Sequence, residues 1–255
     1  MKRSKLLMVA VLLFAVISSA IAQDDDTTIK EKKRRYNYGT RHNFQVDLGI
    51  NNWLEDDKFP NDNNELYAVR PWGSWYVGLN ANNDTHIAGP LHIEWGFGVS
   101  WYNFKFENEA TRMEEGPDAV IFTEAPADVD AKKSKLTASY VNASFVPMIK
   151  LGSSHRGHRH RRGWDWDGFG RHAGGLRLGV GGYAGYKIAS HAKTVIDDRN
   201  KDRDHDGFYL NNVRYGVRVQ VGFRGMDLFA TYDLNEMFVE DKGPKLNAFS
   251  FGITI

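Results

Sequence analysis

Residues 91–101, LHIEWGFGVSW, alternate without a break: Leu91, Ile93, Trp95, Phe97, Val99 and Trp101 fall on one face, His92, Glu94, Gly96, Gly98 and Ser100 on the other. A period of two over this length specifies a β-strand with one apolar face and excludes an amphipathic helix. The pattern recurs at residues 43–51, 74–81, 140–151, 175–188, 213–223, 227–234 and 247–255, giving eight segments in all. Each has about the length of a tilted strand that crosses a bilayer. The fourth contains Pro147, which removes a ladder donor and makes that strand the weakest assignment. The eighth alternates up to Ile255, as expected where a sheet closes on itself and leaves no edge strand.

Alternation alone also fits a soluble barrel wrapped around a ligand. The polar face separates the two. A solvated outer face calls for Lys, Glu and Thr, whereas this one carries Gly49, Gly78, Gly96, Gly98, Gly179, Gly181, Gly216, Gly222 and Gly252 with few charges. Glycine weakens a solvated strand without gain, but small residues suit the crowded interior of an eight-stranded barrel. On the apolar face, Trp75, Trp101, Tyr186, Tyr215 and Tyr232 gather toward one end of their strands once the chain is threaded up and down. That is the position of an aromatic girdle at a membrane interface. The expected fold is therefore all-β: an eight-stranded antiparallel up-and-down transmembrane β-barrel over residues 41–255.

The connections have a matching rhythm. Long polar loops follow the first, third, fifth and seventh segments, and short turns follow the second and sixth, as in barrels with surface loops and periplasmic turns. Residues 152–174 break it, being far too long for a periplasmic turn. Residues 1–22 have the basic n-region, apolar h-region and Ala20-Ile21-Ala22 motif of a cleaved signal peptide. The apolar run is shorter than a spanning helix needs, which argues against a retained anchor. Residues 23–40 then form a periplasmic arm, and the expected location is the Gram-negative outer membrane. With no cysteine, the chain has neither a lipoprotein anchor nor a disulfide staple. A net charge of +1 gives no argument for nucleic acid.

The segments AGPLHIEWGFGVSWYNFKFE, YVNASFVPMIK and FYLNNVRYGVRVQVGFRGMDLFATYDL resemble the small outer-membrane β-barrel proteins grouped with PorT, similar in architecture to OmpX and the OmpA barrel. The likeness runs over nearly all of residues 41–255. It implies an integral outer-membrane protein, and it transfers no catalytic residue; the alternating strand at residues 247–255 is of the kind the barrel-assembly machinery reads, with Ile255 where an aromatic residue is usual.

Seven charges share the polar face: Asp47, Glu94 and Asp233 with Arg177, Lys187, Arg214 and Arg218. In a narrow barrel an unpaired charge costs several kcal/mol. A network that closes the interior is thus expected, with Asp233 opposite Gly216 and diagonal to Arg214 and Arg218, and with Asp47 and Glu94 meeting Arg218 or Arg177. The alternative is a wet channel in which each charge is solvated separately.

Other constellations are weaker. Asp202, Asp204, Asp206 and Gly207 form the first half of a calcium loop, but its twelfth position is Val213 instead of Glu. His155, His158, His160 and His172 could ligate a transition metal, yet Arg156, Arg159, Arg161 and Arg162 crowd them with positive charge. That segment suits anionic lipid or a partner better. Asp56, Asp57, Asp84 and His86 lie in the connections at no catalytic spacing, and no phosphate-binding glycine loop occurs. Neither an enzyme nor a cofactor is expected. The expected role is structural or interactive: an anchor held in outer-membrane lipid, whose loops or basic segment bind an unidentified periplasmic or surface protein. A small-solute channel and an outer-membrane hydrolase are the alternatives.

Overall fold

A computed structural model describes residues 39–60, 66–126, 131–151, 175–197, 200–204, 207–223 and 226–255, with residues 195–204 described by backbone only. Residues 1–22, read above as a signal peptide, nearly all of the expected arm 23–40, the His/Arg segment and Asp206 of the acidic loop lie outside the described residues.

The regular structure described is all strand: β1 (Thr40–Glu55), β2 (Trp75–Ala88), β3 (Leu91–Lys105), β4 (Thr111–Glu115), β5 (Val120–Glu124), β6 (Lys133–Leu151), β7 (Leu176–Asp197), β8 (Asn200–Asp204), β9 (Val213–Phe223), β10 (Met226–Asp233) and β11 (Leu246–Thr254). Eight of these pair antiparallel in the order β1-β2-β3-β6-β7-β9-β10-β11, and β11 pairs back onto β1, so the sheet closes in a ring. The closing register runs from Asp47 opposite Thr254 to Glu55 opposite Leu246. Each of the eight alternating segments lies in one ring strand. The remaining three strands fall where the sequence reads as loop. β4 and β5 form a hairpin inside residues 107–135, and β8, which contains Asp202 and Asp204, extends the outer half of β7.

The rungs give the geometry of the ring. From Leu91 on β3 they step through Ile149, Leu178, Val221, Leu228, Ile253, Leu48 and Val77 and return to β3 at Trp101, ten residues further on. A stagger of ten residues over eight strands tilts the strands by about 40° and leaves an interior that side chains can fill. Every residue on this circuit is apolar and faces outward.

Three irregularities have local causes. Ile188 is an extra residue on β7, because Ser139 pairs with Ala189 but Tyr140 with Lys187. The bulge switches which residues of β7 face inward beyond it. Ile87 is a second bulge, just before the tight turn at Gly89 and Pro90. Pro147 sits within β6 and pairs with Ile93, while the rungs of Val146 and Pro147 toward β7 are missing between Phe145–Gly182 and Met148–Gly179. The strand keeps its register across this gap, so proline removes bonds here without breaking the sheet.

The hydrophobic core lies at one end. At the loop end, where the long connections meet, Trp53, Phe104, Phe106, Phe208, Phe238, Leu136 and Leu246 are fully or almost fully buried. Trp53 stacks on Phe104 with ring centroids 4.4 Å apart and donates its indole N–H to the Tyr67 carbonyl at 3.1 Å. The connections interlock above it. Val69 bridges to Phe106 and Leu210 to Phe238, the Val120 amide donates to the Lys242 carbonyl at 2.8 Å, and the Phe208 amide donates to Glu115 Oε2 at 2.7 Å. Trp53→Phe, which removes the indole donor and leaves a gap, should cost about 2 kcal/mol in urea unfolding. It should also speed protease cleavage of residues 66–74; unchanged cleavage would show that the cap does not depend on this contact.

Candidate functional site

Because the side chains alternate, the inward face of the ring is polar. Toward the turn end, where β2 meets β3 and β9 meets β10, one rung runs Arg177, Gly222, Asp227, Thr254, Asp47, Gly78. Arg218, two inward positions along β9 from Gly222, reaches across to Asp47 with two bonds, Nη1 to Oδ2 at 2.8 Å and Nη2 to Oδ1 at 3.1 Å. The Thr254 hydroxyl donates to Asp47 at 2.6 Å and Asn80 Nδ2 donates at 3.0 Å. Arg177 pairs with Asp227, which also accepts from Gln220 at 2.8 Å. These groups are buried: Asp47, Gln220 and Asp227 have no measurable exposure and Arg177 has 3%.

Halfway along, the interior turns aromatic. Tyr76, Tyr102 and Tyr140 are buried, and the Arg214 guanidinium lies 4.1 Å from the Tyr102 ring centroid and 5.1 Å from that of Tyr140. Arg214 donates to Asp233 at 2.6 Å and to the Tyr183 hydroxyl at 3.0 Å, and Tyr183 donates in turn to Asp233. Ring contacts continue without interruption from Tyr76 through Tyr102 and Phe104 to Trp53 in the cap. Among the described residues two layers thus fill the loop side of the interior, the arginine–tyrosine tier and the apolar cap.

Two glycines on β9 make these contacts fit. Gly222 lies between Arg177 and Asp227 on one rung, and Gly216 between Tyr183 and Asp233 on another. In each case the partners meet over a residue with no side chain. A Cβ on Gly222 would collide with Asp227 Oδ1; one on Gly216 would collide with the Tyr232 carbonyl and lie 2.5 Å from the Tyr183 hydroxyl.

Six of the seven charges singled out in the sequence lie buried inside the ring. Asp47 meets Arg218, Asp233 meets Arg214 opposite Gly216, and Arg177 takes Asp227 instead of Asp47 or Glu94. Glu94 makes no ion pair among the described residues. Lys187 stands apart at the loop end beside the Ile188 bulge, donating to the Leu210 carbonyl at 2.8 Å. Asp227, Gln220, Thr254 and Tyr183 were not anticipated. The phase of the alternation carries the signal for each, since all four occupy inward positions.

Outside, the polarity is reversed. Phe97, Phe145, Leu178, Val219, Val221, Leu228 and Phe251 are exposed by 40% or more. Trp75, Tyr186 and Tyr215 are half or more exposed on the loop-end side, and Trp101 and Tyr232 are partly exposed. At the turn-end mouth Asp84 is held between Lys150, at 2.5 Å, and His92, at 2.9 Å. Among the described residues no group of three or more His, Asp or Glu side chains is placed to hold a metal ion. Comparison with protein-family models and with curated proteins finds no match to this chain.

Proposed function

We propose that the chain is an integral outer-membrane β-barrel with a sealed interior, an anchor that holds an ordered loop cap at the cell surface for a protein partner. The reversal of polarity carries this reading. A contiguous apolar band around the whole ring far exceeds the few hundred Å² that soluble monomers expose, while the charges that water would solvate are packed inside. Such a surface suits hydrocarbon, and a closed ring satisfies every strand without an edge. The partly exposed aromatics on the loop-end side fit one membrane interface, and the signal-peptide pattern of residues 1–22 and the resemblance to PorT-like proteins agree with this location.

The anchor role follows from the sealed interior. Buried ion pairs and tyrosines occupy the inward face at successive levels, which supports a closed interior. Two measurements test the reading. The protein should fractionate with outer membranes and migrate differently on gels before and after heating, whereas release by osmotic shock would refute insertion. Reconstituted in planar bilayers it should show no steady conductance; a stable open level would refute the seal and support the channel. Tags within residues 66–74 should be labelled on intact cells, and labelling only after permeabilisation would reverse the orientation.

A further inference from the structure

The outward face of the ring is charged in one place. Among ring-strand residues whose side chains are described, it carries no carboxylate, and its ammonium groups, Lys105, Lys133, Lys135 and Lys193, all lie at the loop end of β3, β6 and β7. Three of them stand on one rung: Lys105 is directly opposite Lys135, and Lys135 is directly opposite Lys193. Their sequence neighbours Phe104, Leu136 and Ala192 share the adjacent rung and are buried in the core, which fixes the lysines on the outer face. In register, β8 continues the rung with Arg203 opposite Lys193.

Like charges directly opposite one another cost a sheet stability, and an anion drawn in from outside turns that cost into attraction. Lys105 shares the Glu109 carboxylate with Arg70, at 3.3 Å and 3.7 Å. Lys135 donates to Asn103 Oδ1 at 3.3 Å. Asn103 is one outward position closer to the apolar band than Lys105, so the Lys135 ammonium leans toward the band.

The rung also adjoins the band. Lys105 follows Trp101 by four residues, about 10 Å further along the axis of the tilted ring, within a lysine's reach of headgroups beyond an aromatic girdle. Trp72 and Trp75, 78% and 54% exposed, lie on either side of the turn that touches Lys105: a Cβ on Gly73 would be 3.4 Å from Lys105 Cδ.

We propose that this rung docks the phosphate groups of lipids in the leaflet around the loop end. Lysines at a membrane surface attract anionic headgroups, and indole rings settle at the same depth. A lipid satisfies both halves of the surface in one molecule, acyl chains against the band and phosphate against the rung, whereas an acidic protein would use the lysines alone. The proposal rests on the membrane reading above and adds the lipid chemistry that the ring selects and the strands that select it.

The test titrates full-length protein in dodecyl maltoside with diphosphoryl lipid A and reads binding by native mass spectrometry. Lys135→Gln with Lys193→Gln should weaken binding by about thirtyfold, the effect of two lysines at an anionic surface. Lys58→Gln with Lys245→Gln, which removes two exposed lysines of the connections, should leave it within about twofold. Lipid A stripped of phosphate should bind wild type and variants alike, and inorganic phosphate should compete no better than chloride at equal ionic strength. Equal losses in the two double variants, or undiminished binding by Lys135→Gln with Lys193→Gln, overturn the proposal. So does displacement by inorganic phosphate beyond that of chloride, which would make the rung a site for free anions. Polyglutamate binding that is lost in the variant while lipid binding persists overturns it too, in favour of an acidic protein. Heat-modifiable migration in phosphatidylcholine vesicles, measured on the same proteins, separates the two readings. Insertion without phosphate selectivity overturns the rung alone, and failure to insert overturns the membrane reading with it.

Discussion

Arg218→Met should lower the free energy of unfolding by about 3–5 kcal/mol, the range for removing one partner of a buried ion pair. In the variant, Asp47 keeps two neutral donors among the described residues, Asn80 at 3.0 Å and Thr254 at 2.6 Å, and has no exposure to water. The loss is mainly that of a stranded carboxylate, not of a favourable contact. Neutralising the partner should therefore repair it: Arg218→Met with Asp47→Asn should recover more than half of the deficit. A double-mutant cycle by urea unfolding in detergent or vesicles measures this directly. Additive effects would falsify the pairing and favour an interior wet enough to solvate each charge alone.

Gly216→Ala and Gly182→Ala are the same substitution on opposite faces of the sheet, and they should differ by about 3 kcal/mol. A methyl on Gly216 meets the Tyr232 carbonyl, which is backbone and cannot step aside, and lies 2.7 Å from the Tyr183 ring. Tyr183 must then withdraw from Asp233 and from Arg214. Overpacking of this kind costs about 1–3 kcal/mol before the lost bonds are counted. Gly182 faces outward, and a methyl there finds only the Gly216 carbonyl at 3.6 Å. That change should be neutral or slightly stabilising, since alanine restricts the unfolded chain more than glycine does. Equal midpoints for the two variants would mean that the inner face has slack, and the sealed interior would lose its main support.

The sequence revealed the ring strands because period two is local: Leu91 to Trp101 needs no partner to show its faces. It was silent on β4, β5 and β8, where alternation is short and polar residues intervene. The tight turn at Asp56 and Asp57, both with positive φ, was hidden for a similar reason, since glycine or asparagine usually marks such turns. Partner choice was only half legible. Register across a short turn gave Asp233 opposite Gly216, and hence Arg214 within reach. Arg177 with Asp227 depended on two strand pairings at once and on the glycine between them. Lys187 keeps the inward phase opposite Tyr140 but misses the charge cluster because it lies at the loop end, within reach of the Gly207 and Leu210 carbonyls. The aromatics on the inward face, Tyr76, Tyr102, Tyr140 and Tyr183, carry no local mark of their role, because their contacts depend on strand pairings far apart in sequence.

The bonds around Asp47 also impose an order of events. Thr254 reaches Asp47 across 207 residues of sequence, and Arg218 reaches it across 171. Hairpins such as β2–β3 and β9–β10 can form as soon as their own residues meet, but β1 and β11 must find each other over almost the whole ring. Contacts of such separation form late. A seam that slipped by one residue would turn Asp47 to the apolar side and strand Arg218 within. The last step of assembly is therefore also the one that is inspected: only a ring joined in register neutralises both charges, and a misjoined one carries a penalty large enough to reopen it.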